Sequence, residues 1–316
     1  MDMKKKHIAI IGLGGVGGYF GFKICQNKLS EKHTVSFVAR GETYRKLQAD
    51  GLTLLSEEHP NHRTQADALF QNIVEMPRPD LVLICVKEYD LENVCQQLKS
   101  VISEDTIILP MMNGADIHER IRLVLPEQTI LPSCIYVASH IKSKGVVEHK
   151  GKSGKLILGR DQEHSKRQLD WVLELLENSK INYEFKDNSL VDIWEKFIFI
   201  ASVGLVSAKY NSSIGEACNN PQQKDETKRI MQEIKEIADK KEIGLATDIV
   251  DQTLAKSSAF PYDTPTSIQL DINAGKKHNE LELFAGAIIK YATALQLATP
   301  YTQQIYQELK AKLNVA

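Results

Sequence analysis

At 316 residues, with 42% hydrophobic and 25% charged residues, the chain has the profile of a soluble globular protein and the length for about two domains. Its formal net charge of −2 supplies no global basic field for nucleic acid or an anionic membrane surface, so neither partner is expected.

The first segment, "HIAIIGLGGVGGYF", follows a short solvated cluster of Lys4, Lys5 and Lys6. It is too short and too rich in glycine for a transmembrane span, and it lacks a small-residue cleavage site. It therefore reads as a strand, and a cytoplasmic protein is expected. Directly after that strand, Gly12, Gly14 and Gly17 form G-x-G-x-x-G at the mouth of a helix. The first glycine makes a tight turn, the second lets the backbone approach a pyrophosphate, and the third permits close helix–sheet packing. The helix N-terminus favours the negative charge. Gly12, Leu13, Gly14, Gly15, Val16 and Gly17 are thus the expected phosphate loop; a merely glycine-rich turn is the bland alternative.

The second strand, "HTVSFVA", ends at Ala39 and Arg40. An NAD-binding chain places an acidic residue there for the ribose hydroxyls, whereas Arg40 can pair with a 2′-phosphate. NADPH is the expected cofactor, against the alternative of a surface arginine opening the "RGETYRKL" helix. The next strands, "DLVLICV" and "TIILPM", lead to "VKEYD" and "MMNG", which puts Lys87 and Asn113 at the carboxyl edge of the sheet. Ligands of doubly wound sheets bind at that edge. Lys87 could equally be a helix-start charge, and Asn113–Gly114 simply a turn.

After the strand-like "QTILPSCIYVA", the stretch "GVVEHKGKSGKLILGR" shows two alternating runs about a Gly-containing turn and predicts an antiparallel hairpin added to the sheet. Strand signals stop near residue 188. Three helices are expected beyond: one from "NSLVDIWEKFIFIASVGLV"; one with Asn220 as N-cap, Pro221 at its first position and Gly244 beyond its end; and one from "KKHNELELFAGAIIKYATALQLATP", closed by Pro300. The fold class is therefore α/β, an N-terminal Rossmann-type doubly wound sheet over 1–187 followed by a C-terminal all-helical domain over 188–316. The apolar helices of the second half could pack against each other or across a homodimer interface. Five scattered cysteines read as reduced structural thiols. His59, His62, His164 and His278 sit in polar contexts without metal-ligand spacing, so no metal is expected.

Within "DIWEKFIFIASVGLVSAKYNSSIGEA", Lys196 is a lone cation before a nearly all-apolar run. Burying an unpaired ammonium is costly, so Lys196 either snorkels to water or works.

Taken in order, the glycine loop, the lysine after the "VK" strand, the "NG" after the next, the "W-x-K" helix and the late Ser…Asp…Gly…Glu segment resemble the ketopantoate reductase (2-dehydropantoate 2-reductase) family over nearly the whole chain. The resemblance implies NADPH-dependent reduction of a 2-oxo acid, in the known case ketopantoate to pantoate for pantothenate and coenzyme A synthesis. It implies that Lys196 is the general acid that protonates the carbonyl oxygen as hydride arrives, which answers the alkoxide charge that reduction creates. It implies that Lys87 and Asn113 line cofactor and substrate, that Ser267 hydrogen-bonds the substrate, and that Glu280 contacts the cofactor and orients the lysine. One extra residue separates Ser267 from Glu280 relative to the usual spacing. Without the resemblance, Ser267 could be a helix cap and Glu280 an exposed first-turn charge.

The chain also departs from the family. Where family members carry asparagines four and eight residues after the lysine, and another before a Gly-Glu pair, this chain has Ile200, Gly204 and Ile214. Loss of three amides predicts weaker recognition of a hydroxylated substrate. A paralogue reducing a more apolar 2-oxo acid or ketone is therefore a second expectation, and a non-catalytic NADP(H)-binding module a third. Retention of Lys196 with Glu280 speaks against the third.

Overall fold

The computed structural model describes residues 5–57 and 60–315, so Lys4 and His59 lie outside the described residues. Two units follow from the contacts: one takes the described residues up to Asn113 together with Ile117–Ser189, and the other takes Gly114–Asp116 together with the described residues from Leu190 onward.

In chain order the first unit contains β1 (Lys6–Ile11), α1 (Gly15–Asn27), β2 (His33–Val38), α2 (Gly41–Asp50), β3 (Leu52–Leu55), β4 (Pro60–Thr64), β5 (Ala68–Phe70), β6 (Leu81–Ile84), α3 (Glu88–Leu98) and β7 (Ile107–Pro110). It continues through α4 (Ile117–Val124), β8 (Thr129–Ile130), β9 (Ser133–Tyr136), β10 (Ser139–Ser143), β11 (Val146–His149), β12 (Lys155–Gly159), α5 (Asp170–Asn178) and β13 (Asn182–Lys186).

Six strands form the main sheet in the order β5-β2-β1-β6-β7-β8, every neighbouring pair parallel. Strands β6 and β7 are buried at every position, as expected of parallel strands covered by helices on both faces. The order reverses between β1 and β6, which is the switch point where such sheets open a crevice at their carboxyl ends. The α/β reading of this half is met.

The expected hairpin is not. Strand β11 pairs with β10 and β3 in a four-stranded sheet, while β12 pairs with β9 and β13 in a three-stranded one. Alternation of apolar and polar residues identifies a strand but not its partner. The "QTILPSCIYVA" run also divides, its first part joining the main sheet as β8 and its second the three-stranded sheet as β9. Trp171 on α5 lies in this unit, with the Lys6 ammonium 5.1 Å from its ring centroid.

The second unit is helical: α6 (Leu190–Tyr210), α7 (Ile214–Asn219), α8 (Pro221–Lys240), α9 (Ile249–Lys256), α10 (Ser267–Asn273), a π-helical turn over Glu282–Gly286, α11 (Ala287–Leu295) and α12 (Pro300–Val315). No described helix is long and apolar enough to cross a membrane. Helix α8 begins as its sequence predicts. The Asn220 side chain accepts from the backbone N–H groups of Gln222 and Gln223, with Pro221 at the first position. Its end is less regular, since Glu242 already takes a left-handed conformation two residues before Gly244.

Pro300 opens a helix rather than closing one. Helix α11 stops at Leu295, where Gln296 turns left-handed (φ 57°). The orphan N–H groups of α12 are met by Glu233 of α8, whose carboxylate accepts from Tyr301 N at 2.8 Å, Thr302 N at 2.9 Å and the Thr302 hydroxyl at 2.6 Å. Proline is well suited to a first helical turn because its missing N–H is not needed there. The core of this unit gathers Trp194, Phe197, Phe284 and Tyr291, with ring centroids 5.5 to 6.3 Å apart in successive contacts.

Candidate functional site

The phosphate loop connects β1 to α1. Gly12 has φ +91°, a left-handed conformation unfavourable to any side chain, and a Cβ there would stand 2.7 Å from the Cys85 carbonyl oxygen. At Gly17 a Cβ would lie 1.9 Å from the Gly12 carbonyl oxygen, so the helix can start where it does only with hydrogen at that position. Gly14 differs: it is the N-cap of α1, and a Cβ would meet nothing within 4 Å. The loop is closed underneath and open above Gly14, the shape a pyrophosphate needs at a helix N-terminus. A dinucleotide fits these residues.

Around the loop, Leu13 is buried while Gly15 and Val16 are half-buried. Sequence reasoning missed the neighbour on one side: a Cβ on Gly15 would be 2.5 Å from the backbone oxygen of Ser139, the first residue of β10. The pattern of glycines could not name that strand, because it comes from a different sheet.

The other cofactor candidates follow the carboxyl ends of neighbouring strands. Arg40 follows β2 and is the N-cap of α2; Lys87 follows β6 and is the N-cap of α3; Asn113 follows β7. Neither Arg40 nor Lys87 caps its helix with the side chain. Arg40 is 68% exposed, and its Nη2 donates to Asp90 Oδ2 at 2.9 Å. Asp90 was not singled out from "VKEYD", and nothing local in that string signals a partner fifty residues away.

On the helical unit, Lys196 is half-buried on α6 between the fully buried Trp194 and Phe197. The two bland alternatives for the late segment fail. Thr266, not Ser267, caps α10, in a reciprocal arrangement with Gln269. Glu280 is not an exposed charge but 4% exposed, and its Oε2 accepts from the Ser267 hydroxyl at 3.3 Å. A carboxylate so buried is costly unless its oxygens are hydrogen-bonded, and the Ser267 hydroxyl supplies one such bond.

Of the three positions that depart from the family, Ile200 is half-buried one turn beyond Lys196, and Ile214 is buried at the start of α7. Gly204 lies under α10: a Cβ there would stand 2.9 Å from Ile268 Cγ2 and 3.8 Å from Phe284 Cε2. An asparagine could not enter without displacing Ile268. Sequence reasoning also missed an aromatic pair on this unit: Phe199 stacks on Phe260 at 5.3 Å.

A parallel sheet with a glycine loop at its carboxyl edge, followed along the chain by a helical unit that holds a half-buried lysine and a buried carboxylate, is the architecture of an oxidoreductase built on a Rossmann-type sheet. Comparison with known proteins specifies it further. The family models for ketopantoate reductase PanE/ApbA and for its C-terminal part match residues 8–163 and 188–313. The chain belongs to the ketopantoate reductase PanE/ApbA family.

Among its relatives, the uncharacterized oxidoreductase YkpB of Bacillus subtilis is 24% identical over 302 residues, which cover 95% of this chain and 97% of that protein. The crystal structure of a PanE/ApbA family ketopantoate reductase from Ralstonia eutropha superposes with a TM-score of 0.86 at 21% identity, covering 98% of this chain and 99% of the other. D-mandelate dehydrogenase, solved with NADH and anilino(oxo)acetate, superposes with a TM-score of 0.85 at 21% identity, covering 98% and 99%. At these identities the solved structures speak for the fold.

Proposed function

We propose that the chain is a cytoplasmic reductase that converts the 2-oxo group of a 2-oxo acid to a hydroxyl with NADPH, ketopantoate being the reference substrate. Residues 1–187 would hold the cofactor and 188–316 the substrate. The observation that carries this reading is the buried Glu280 carboxylate with the Ser267 hydroxyl on it, built into the helical unit that also presents Lys196.

In this reading Gly12 to Gly17 seat the pyrophosphate and Arg40 faces the 2′-phosphate, with Lys87 and Asn113 along the same edge. The cofactor, when bound, supplies the hydride. Lys196 meets the negative charge that builds on the substrate's carbonyl oxygen and passes a proton from Nζ to that oxygen, leaving an amine that solvent recharges. Ser267 hydrogen-bonds the substrate, and Glu280 contacts the cofactor and orients the lysine.

The test is Lys196→Ala. Turnover of ketopantoate should fall by about a hundredfold to ten-thousandfold while NADPH still binds, as read by nicotinamide fluorescence. Undiminished turnover would remove Lys196 from the chemistry. A second reading, reduction of a more apolar 2-oxo acid, is favoured by Ile200, by the closure of Gly204 under Ile268, and by likeness in fold to an enzyme named for mandelate. Turnover of ketopantoate beside branched aliphatic and aryl 2-oxo acids decides between the two.

A further inference from the structure

Arg40 and Asp90 come from different crossovers of the main sheet. Arg40 stands after β2 and Asp90 in the first turn of α3 after β6, and these strands flank β1 on its two sides. The pair therefore spans the strand that feeds the phosphate loop, closing over its carboxyl end with a contact of 2.9 Å. The two charges differ in exposure, 68% for Arg40 and 25% for Asp90, so the arginine is the one free to swing toward a ligand and the carboxylate is the fixed member.

We propose that Asp90 sets the choice between NADPH and NADH. The inference rests on Arg40 being the residue that faces the adenosine ribose. NAD-binding folds accept the ribose hydroxyls on an acidic side chain at the end of the second strand. Here that end is Ala39 and Arg40, and the acid reaches the same arginine from α3 instead. The site thus holds both instruments, a cation for a phosphate and a carboxylate for a hydroxyl.

Their juxtaposition has opposite consequences for the two dinucleotides. A 2′-phosphate brings a charge of roughly −1.5 to −2 and must draw Arg40 Nη2 away from Asp90 while enduring the carboxylate beside it. A ribose 2′-hydroxyl is neutral and can donate to that carboxylate. Asp90 therefore trims the advantage of NADPH and gives NADH a foothold, and both dinucleotides bind the native protein.

A structural role for Asp90 is the competing account, since a carboxylate in the first turn of a helix complements its dipole. That role changes thermal stability but not the ratio of the two affinities. The experiment titrates the full chain and its variants with NADPH and with NADH, following nicotinamide fluorescence. Asp90→Asn should tighten NADPH by about twofold to tenfold and weaken NADH or leave it unchanged. Asp90→Glu should restore the native ratio. Glu92→Gln, which removes an equal charge from the same helix, should not move it. Equal changes in both affinities, or none, with Asp90→Asn would overturn the proposal. Arg40→Ala separates the levels. If it abolishes the NADPH advantage while Asp90→Asn has no effect, only the role of Asp90 falls. If the native protein binds neither dinucleotide, the cofactor reading falls and the inference with it.

Discussion

Two glycines of one loop, three residues apart, are glycines for different reasons. Gly17 is pinned by the Gly12 carbonyl, whereas Gly14 has empty space where its side chain would be and an extended backbone that alanine adopts readily. Gly17→Ala should therefore destabilise the protein by about 1 to 3 kcal/mol and abolish dinucleotide binding together. Gly14→Ala should leave thermal unfolding unchanged while weakening NADPH binding, because the new methyl occupies ligand space. Calorimetry beside fluorescence titration checks both, and a loss of stability in Gly14→Ala would show that the loop is not open there. The spacing of these glycines was legible because the turn, the approach and the packing are all made within six residues. Lys196 was legible for a similar reason, as a charge out of place in an apolar run. Asp90 was not, because its significance lies in Arg40, and a contact across fifty residues leaves no periodic trace. The burial of Glu280 was also hidden: a glutamate beside "KKHN" reads as solvated until the fold packs it.

At the scale of elements, Gly204 joins α6 to α10 through the contact with Ile268. Gly204→Asn should cost about 1 to 3 kcal/mol of stability, read from urea unfolding, and should not by itself raise turnover of ketopantoate, because the amide would displace Ile268 rather than face a ligand. Full stability in that variant would mean that the two helices part more easily than their packing suggests. A second joint lies in the first unit, where Asp161 is 4% exposed. Its carboxylate accepts from Ile130 N at 2.8 Å and from Arg122 Nη2 at 2.5 Å, tying β8 to the end of β12. Burial pushes the carboxyl up, but the Ile130 N–H and the Arg122 guanidinium outweigh it and hold Asp161 below its ordinary 3.8. Since the folded-state value is the lower one, the stabilisation is present above 3.8 and is lost as pH falls through the folded value. Asp161→Asn should cost about 2 to 4 kcal/mol at neutral pH, with the deficit shrinking as the medium is acidified below that point. A deficit independent of pH would argue against the ionised form. These joints also mark what patterning conveys about elements. Alternation found β11 and β12 but paired them wrongly, and Pro300 was read as a stop because the acceptor that meets the N–H groups just after it, the Glu233 carboxylate, sits on another helix.

For the molecule as a whole, the succession of a sheet half and a helical half was readable because strand signals give way to helical periodicity, which registers backbone hydrogen-bonding regime and needs no long-range information. The number of sheets was not, since sheets are defined by pairing. None of the five cysteines is in a disulfide; four are buried and Cys85 is half-buried. Burial pushes the thiols of Cys25 and Cys95 up to about 12, and raises Cys85 and Cys218 as well. A thiol-specific reagent at neutral pH should accordingly modify none of them quickly in the folded protein and all five after denaturation. Rapid labelling of the native chain would reveal an opening motion that the packing does not suggest.

The chain has two tryptophans, and the fold assigns one to each unit, Trp171 on α5 and Trp194 on α6. Each half thus carries its own optical reporter. With Trp171→Phe, emission comes only from a ring two residues from Lys196 and fully enclosed by the helical core. With Trp194→Phe, it comes only from the sheet side. Red shifts recorded for the two variants along one denaturant series would show whether the halves melt together or in turn, and which of them a bound dinucleotide shields.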